Sequence, residues 1–387
     1  MDHSVKIYAL LTSLALFTLT TVYSCRSTEL DVNPAETISA LPQTVIDPVD
    51  NPRTPDKVAL GKLLFYDPVL SGNKDVACAT CHHPQFGYTD GLELPIGVGG
   101  TGQGSHRQFP AVGDIPFTKR NAPTLLNVAF NGIDPNGNYD PATAPMFYDL
   151  RTKSLEAQSL MPIATFEEMR GHVFTSANTL DSVLARLQAI PFYRTSFAQI
   201  FGGKEAVTAP NLGKAIAAYE RTLLANNAPY DRYQRGDKSA MTDAQKRGLV
   251  LFLQNGCNTC HSGPMFSDYK THVLGVGENE KLGYTDKGHN DTYAFRTPTL
   301  RNLTLTAPYM HNGTHASLAD VLVFYDVVKD GGQNPNVPVS RLDSLLRPRV
   351  TRSNDLVEFM HALTDEHFDK SVPDHVPSGL AVGGKLH

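Results

Sequence analysis

One five-residue motif occurs twice in this chain and constrains its fold and chemistry more than any other feature. Residues 78–82 read CATCH and residues 257–261 read CNTCH. Two cysteines with two residues between them, followed directly by a histidine, form the attachment pattern of c-type haem. The thiols have the spacing to form thioethers with both vinyl groups of one haem, and the histidine supplies an imidazole to the iron. The residues concerned are Cys78, Cys81, His82, Cys257, Cys260 and His261.

Two other kinds of site also use closely spaced cysteines. A thioredoxin-like redox pair needs only C-x-x-C, and four thiols together can form one zinc site. Neither site requires a histidine after each pair, whereas both copies here have one. Only Cys25 lies outside the two motifs, because the chain has five cysteines. The sequence therefore favours two covalently bound haem c groups.

The start of the chain has the pattern of an export signal. Lys6 ends a short charged start, and residues 7–22 are almost wholly apolar, a stretch too short and wrongly flanked for a stable membrane span. We expect a signal peptide over residues 1–24. Cys25 stands where a bacterial lipoprotein is cleaved and lipidated, although Tyr23 is bulky for that recognition sequence, and ordinary cleavage nearby is the alternative. The expected location is the periplasm, with a lipid anchor at Cys25.

Composition and hydrophobic spacing predict a mainly α fold with long loops. The 34 basic and 39 acidic residues give a net charge of −5 without long runs of either sign, so nothing suggests nucleic-acid binding. No stretch alternates like a strand of a sheet. We expect a tether or N-terminal arm over residues 25–56, a glycine-rich loop over one haem at residues 87–116, and helices over residues 58–66, 153–161, 178–201, 209–226, 244–253 and 317–328.

An internal repeat indicates how the chain is divided. Residues 121–127 read NAPTLLN and residues 296–302 read RTPTLRN, and each copy follows its haem motif at nearly the same distance. Two homologous one-haem domains in tandem would have this pattern. We therefore expect a first domain over residues 57–230 and a second over residues 231–387, which includes a short tail.

These motifs resemble the bacterial dihaem cytochrome c peroxidases and their MauG-like relatives, from about residue 60 to residue 364. The resemblance implies two tandem cytochrome-c-like α domains with a calcium ion between them. It implies that the N-terminal haem reacts with hydrogen peroxide, which becomes water, and that the C-terminal haem relays electrons. A small c-type cytochrome or a cupredoxin would donate these electrons. Dimers are common in that family, although no segment of this chain identifies an interface.

The resemblance also assigns residues to the peroxide site. Residues 147–151 read FYDLR, like the family's aromatic-Asp-x-Arg segment, and Gln158 and Glu168 stand at the family's offsets for its distal Gln and catalytic Glu. Such a carboxylate can move a proton from one peroxide oxygen to the other, and Gln158 would hold the peroxide. Without the resemblance, Glu168 beside Glu167 would be predicted to be solvated. Tyr148 replaces the family's inter-haem Trp, and this chain has no Trp.

One departure from the family concerns the sixth coordination position of the first haem. Many of these peroxidases carry a histidine in the loop after the first motif, and it ligates the iron until the enzyme is reductively activated. Val98 stands at that position here, and an aliphatic side chain cannot bind iron. We therefore expect an open site at rest and activity without reductive activation. His106 is the rival ligand, whereas His83 follows His82 too closely to reach the other face.

The resemblance assigns a distal ligand to the second haem as well. Tyr325 stands where the peroxidases carry a methionine ligand and where MauG-like proteins carry a tyrosine. A phenolate ligand lowers the potential relative to a thioether. Core packing is the alternative role for Tyr325, and Met310 and Met265 are the alternative ligands.

The remaining assignments concern calcium and two other functions. By resemblance, Asn121 supplies a side-chain oxygen to calcium, and Thr306 and Pro308 supply backbone carbonyls, which suits this cation. A MauG-like enzyme that uses peroxide to oxidise side chains of a partner protein is the first alternative. Val98 and Tyr325 favour it, whereas the replacement of Trp by tyrosine argues against it. A dihaem electron carrier without peroxide turnover is the second alternative.

Overall fold

Helices joined by long loops make up most of the described chain. The predicted signal peptide (residues 1–24), Cys25 and the first part of the predicted arm (residues 26–37) lie outside the described residues, and those predictions stay predictions. The computed structural model describes residues 38–111, 113–330, 334–347 and 349–386.

The elements confirm the mainly α fold, with very little sheet. The strands form two antiparallel two-stranded pairs, β1 with β2 and β3 with β4. In the described ranges, no helix is both long enough and apolar enough to cross a membrane. The elements are α1 (Pro55–Tyr66), α2 (Cys78–Cys81), β1 (Pro145–Met146), β2 (Thr152–Lys153), α3 (Leu155–Gln158), α4 (Met161–Ala164), α5 (Thr179–Ala189), α6 (Pro191–Phe201), α7 (Ala209–Glu220), α8 (Pro229–Gln234), α9 (Asp243–Gln254), β3 (Thr271–His272), β4 (Phe295–Arg296), α10 (Leu318–Val327) and α11 (Asn354–Ala362).

The helices that flank the haem motifs begin at clear capping residues. The Thr54 hydroxyl accepts the backbone N–H of Lys57 at 3.3 Å at the start of α1. Thr242 and Gln245 form a reciprocal capping box at the start of α9, with hydrogen bonds of 3.0 and 3.2 Å. The helices predicted at α1, α9 and α10 are therefore confirmed, with ends shifted by at most a few residues.

Three predicted helices are divided or shorter in the structure. The helix predicted over residues 178–201 is α5 and α6, because Pro191 has no backbone N–H and starts a new helix. The helix predicted over residues 153–161 is split into α3 and α4, with Pro162 in the first turn of α4. The last of the three, α7, ends at Glu220, earlier than predicted.

A closely packed helix pair accompanies each haem motif. α1 leads toward the first motif and crosses α7 at Gly61, where any Cβ would collide with the Ala215 carbonyl. α9 leads into the second motif and crosses α11 at Gly248, where a Cβ would collide with the Asp355 carbonyl. Glycine permits the close approach of two backbones in both pairs. The repeat seen in the sequence is thus matched by a repeated helix crossing.

The end of the chain packs beside the first motif. The backbone N–H of Gly383 donates to the Tyr66 carbonyl at 2.8 Å, and the Ser378 hydroxyl donates to Asp67 at 2.6 Å. The Thr80 hydroxyl, inside the first motif, donates to the Gly383 carbonyl at 2.8 Å. The sequence analysis placed this tail with the second domain, whereas the structure packs it on α1 and α2. The contacts join residues far apart in sequence, so no local pattern announces them.

The described part of the predicted arm wraps the body of the protein. The backbone N–H of Leu41 donates to Asp231 at 2.9 Å, and the Tyr230 hydroxyl donates to the Ile38 carbonyl at 2.5 Å. Leu41 is buried against Phe130. The arm is therefore packed on the body of the protein at Ile38 and Leu41.

Candidate active site

Each haem motif lines a cavity, and the two cavities share part of their walls. The cysteines and the histidine of residues 78–82 line the first cavity. Those of residues 257–261 line the second cavity. Tyr148, Arg296 and Tyr325 line both cavities. The two cavities thus adjoin each other, and His261 itself lines both.

The histidines of both motifs are held in the same orientation. Nδ1 of His82 lies 3.0 Å from the Tyr88 carbonyl, and Nδ1 of His261 lies 2.9 Å from the Phe266 carbonyl. A carbonyl oxygen only accepts, so Nδ1 carries the proton and Nε2 keeps its lone pair. Burial lowers the pKa of both imidazoles, which favours the neutral form. Both rings are therefore prepared to ligate a metal through Nε2.

The motif cysteines are partly buried, and the surroundings of Cys78 and Cys257 disfavour the thiolate. Burial raises the pKa of Cys78 to about 12 and that of Cys257 to about 11. A reactive redox pair needs a lowered thiol pKa, so these values argue against a thioredoxin-like site. The two cysteine pairs also line different cavities, which argues against one four-thiol zinc site.

Glu168 lies on a π-helical turn, residues 166–170, and lines the first cavity together with Gln158. π-helical turns are rare and often occur at functional sites. The backbone N–H of Val98 donates to the Glu168 carbonyl at 3.0 Å. Gly97 packs so tightly on this turn that a Cβ there would collide with the carbonyls of Glu167 and Glu168. The loop after the first motif thus fixes the backbone of Glu168.

The Glu168 carboxyl has an environment suited to proton transfer. Burial raises its pKa to about 7, and the neighbouring Glu167 charge adds to the effect. No described residue forms a hydrogen bond with the carboxyl, which opens toward the cavity. A carboxyl with this pKa can be a base and an acid at neutral pH.

The rival ligands from the first part of the chain do not line the first cavity. Val98 is fully buried in a core cluster with Leu64 and Met169, away from the cavity wall. His106 is exposed at the surface of the glycine-rich loop. His83 is buried, and its Nδ1 accepts the backbone N–H of Gln85 at 3.3 Å. The structure therefore brings none of these side chains to the position opposite His82.

Comparison with known proteins agrees with the geometry. A family model described as di-haem cytochrome c peroxidase matches residues 55–239. Methylamine utilization protein MauG of Methylorubrum extorquens is 36% identical over 330 residues, which cover 84% of this chain and 83% of that protein. This chain belongs to the di-haem cytochrome c peroxidase family.

Two further relatives support this membership. Cytochrome-c peroxidase IdrP1 of a Pseudomonas species is 32% identical, over 93% of this chain and 95% of that protein. The crystal structure of a MauG-like protein associated with microbial copper homeostasis matches with a TM-score of 0.66 at 27% identity, over 84% of this chain and 95% of that one. The protein is thus an oxidoreductase of a family that contains both peroxidases and MauG-like members.

The residues of both motifs fit the haem c groups of the family. Two cysteine thiols lie on the wall of each cavity, where thioethers would form. The histidine of each motif keeps Nε2 free for iron, because Nδ1 is occupied by a carbonyl. Apolar side chains such as Leu125, Val128, Leu274 and Leu322 line the two cavities and suit a porphyrin face.

Tyr148 lies between the two haem cavities. Its side chain lines both, and its carbonyl accepts the backbone N–H of Arg296 at 2.7 Å. Burial raises the pKa of Tyr148, so the phenol is neutral. Tyr148 thus lines both cavities, and its role between two haems stays a prediction.

Of the three candidate ligands of the second haem, Tyr325 and Met310 line both cavities, as His261 does, whereas Met265 lines only the first. The Tyr325 hydroxyl has no hydrogen-bond partner among the described residues. Burial raises its pKa. Met310 lines both cavities and packs in the same cluster as Tyr325. Met265 lines only the first cavity and packs against Phe130, so it is badly placed as a ligand of the second haem.

The three expected calcium ligands line one cavity. Asn121, Thr306 and Pro308 all contribute to the wall of the first cavity. The Asn121 side-chain amide donates to the Leu92 carbonyl at 2.8 Å, which leaves its oxygen available. The carbonyls of Thr306 and Pro308 accept no hydrogen bond from any described residue. These oxygens suit calcium in chemistry, and the assignment stays a prediction.

Arg107 is a supporting residue that the sequence patterns did not reveal. The buried Arg107 guanidinium donates to the carbonyls of Ile96 and Gly97 at 2.5 and 2.8 Å and so holds the loop that fixes Glu168. It has no carboxylate partner among the described residues. In the sequence, Arg107 looks like any arginine of an exposed loop. Its role is visible only in the structure, where the loop lies next to the π-helical turn of Glu168.

Proposed function

We propose that this protein is an exported dihaem c-type peroxidase that reduces hydrogen peroxide to water with electrons from a small redox protein. One peroxide, two electrons and two protons give two water molecules. The observation that carries the proposal is the Glu168 carboxyl, which opens into the cavity of the first motif with a pKa of about 7. The family's named peroxidases support peroxide as the substrate.

Glu168 would move the proton on which O–O cleavage depends. Bound at the first motif, the haem supplies the iron at which the O–O bond breaks. Glu168 in its carboxylate form accepts the proton of one peroxide oxygen and returns it to the other, which leaves as water. Gln158, on the same cavity wall, orients the peroxide by hydrogen bonding.

We infer that the first site is open without reductive activation. Val98 is buried in the core, and neither His83 nor His106 lines the first cavity. A small c-type cytochrome or cupredoxin would donate electrons at the second haem, with Tyr325 as its distal ligand. Tyr148 between the cavities would couple the two haems.

The wider organisation follows the same proposal. Two tandem one-haem domains, over residues 57–230 and 231–387, are supported by the repeated helix crossings, with the tail from residue 368 packed on the first. A calcium ion held by Asn121, Thr306 and Pro308 would join them. Location in the periplasm and a lipid anchor at Cys25 complete the proposal.

One experiment tests the role of Glu168. Glu168→Gln keeps the size of the side chain and removes the exchangeable carboxyl proton. We expect a loss of about 10²–10⁴-fold in peroxide reduction with reduced cytochrome c, while haem content and the spectrum of the oxidised protein stay unchanged. Wild-type turnover in this variant would refute the proposed role of Glu168 in proton transfer. Two six-coordinate low-spin haems in the resting oxidised protein would refute an open coordination position at the first haem. That result would favour an electron carrier.

A MauG-like activity is the second candidate, and Tyr325 on the second cavity favours it. Such an enzyme would use peroxide to oxidise side chains of a partner protein. The two activities are separated by measuring cytochrome c oxidation and peroxide-driven modification of a partner protein under the same conditions. Fast cytochrome oxidation without partner modification supports the peroxidase.

A further inference from the structure

A second buried carboxyl faces the first cavity and has no role in the reaction described above. Glu220 is the last residue of α7 and is only 4% exposed. It lines the first cavity together with Cys78. Its Oε2 atom is buried and has no hydrogen-bond partner among the described residues. Buried polar atoms in folded proteins are almost always paired, so this oxygen requires an explanation.

The neighbouring arginine does not supply the missing partner. Arg221 is buried, but its two terminal nitrogens donate to both oxygens of Glu156 at 2.6 and 2.9 Å. That bidentate pair links the end of α7 to α3 and satisfies the Glu156 carboxylate. The cation next to Glu220 is therefore already paired with Glu156, and the Glu220 carboxyl faces the first cavity.

The charged groups around Glu220 determine its protonation. Burial raises the pKa of Glu220 to about 8; the Arg221 charge partly offsets this rise and the Glu156 charge adds to it. On α1, which packs along α7, the Lys57 ammonium donates to Asn51 and the Lys62 ammonium donates to Asp369, both at 3.0 Å, so neither is paired with Glu220. From α2, the neutral Cys78 thiol faces it. The other acids on the wall of this cavity are Asp149, Glu167, Glu168, Asp286 and Asp291. Glu220 is thus able to gain or lose a proton near neutral pH.

We propose that Glu220 is the proton-exchanging group of the first haem. It binds one proton from solvent when that haem gains one electron, and it releases the proton when the haem is oxidised. The electron adds one negative charge to a poorly solvated cavity, and the proton on Oε2 cancels it. The proposal rests on haem binding at the first motif, which the proposed function shares, but it does not depend on Glu168.

The reduction potential of the first haem measures this coupling directly. Uptake of one proton per electron lowers the potential by about 59 mV for each tenfold fall in proton concentration, within the pH range where the carboxyl titrates. We expect such a slope near pH 8 in the wild-type holoprotein, measured by spectroelectrochemical titration between pH 6 and pH 10. Glu220→Gln keeps the shape and cannot exchange a proton, so its potential should be flat near pH 8.

The controls separate Glu220 from Glu168. Glu168→Gln should retain the slope near pH 8 although it loses peroxide turnover. A slope that survives in Glu220→Gln, or that disappears in Glu168→Gln instead, overturns the proposal. Retained peroxide turnover in Glu168→Gln would refute the proposed function. The pH dependence of the potential would still test the role of Glu220. If Glu220→Gln fails to hold haem, Glu220→Asp should move the pH range of the slope, and an unmoved range overturns the proposal.

Discussion

Gly97→Ala tests whether the loop after the first motif positions Glu168. A Cβ on Gly97 would approach Cα of Glu168 to 2.7 Å and would collide with the carbonyls of Glu167 and Glu168. Carbon atoms in contact prefer about 3.5–4.0 Å. The π-helical turn must therefore move by about 1 Å to accept one methyl group.

A shift of that size has a large effect on catalysis and a small effect on stability. Misplacement of a catalytic group by about 1 Å can cost about 10²-fold in rate. Overpacking at a tight contact costs about 1–3 kcal/mol in the free energy of unfolding. We therefore expect Gly97→Ala to fold and bind haem while kcat/KM for peroxide falls about 100-fold.

The assay is steady-state peroxide reduction with reduced cytochrome c, at matched haem content. Gly113→Ala is the control in the same loop, because a Cβ at Gly113 would meet no atom within 4 Å. It should keep wild-type kcat/KM. Wild-type activity in a folded, haem-loaded Gly97→Ala protein would refute the argument that this contact positions Glu168.

Four other perturbations have definite expected outcomes. Since the pKa of Glu168 is about 7, kcat/KM for peroxide should rise about tenfold per pH unit below pH 7 and level off above it. The reason is that only the carboxylate accepts the peroxide proton, so Glu168→Gln should lose this limb of the pH profile. Asp231→Asn should lower the free energy of unfolding in urea by about 3–5 kcal/mol, because it leaves the Arg301 guanidinium, 2.7 Å away and fully buried, without its charge partner. Tyr325→Met should raise the potential of the second haem in a spectroelectrochemical titration, since a thioether ligand favours the reduced iron; an unchanged potential would count against ligation. Calcium chelation and Asn121→Ala should change the haem spectra and turnover in the same way, and unchanged spectra and turnover after chelation would argue against the calcium site.

Local patterns predicted the parts of the protein that depend on local chemistry. The helix start at Thr242 follows from a capping residue close in sequence to the backbone group it satisfies, whereas α1 begins at Pro55, earlier than its predicted start at residue 58. The split at Pro191 is equally local, and it was missed because hydrophobic spacing was read across the proline. The neutral, Nε2-free state of His82 and His261 agrees with their place in the motif, although the carbonyls that hold them appear only in the structure.

Glu168 and Glu220 show where local patterns fail. Both are acids at a helical turn or helix end, and the sequence alone favours a solvated side chain for Glu168. Their raised pKa values come from burial against a cavity that residues from distant parts of the chain enclose. The resemblance to the peroxidase family identified Glu168, whereas it did not identify Glu220.

The sequence by itself determined two haem attachment sites, a mainly helical chain and a repeated plan, because thioether spacing, helix capping and internal repeats depend on neighbouring residues. Only the tertiary structure decided that Gly97 packs on the turn of Glu168, that the tail returns to the first motif and that Glu220 faces the first cavity without a partner. Those contacts join distant segments, and their energies depend on packing and burial, which exist only after the chain has folded.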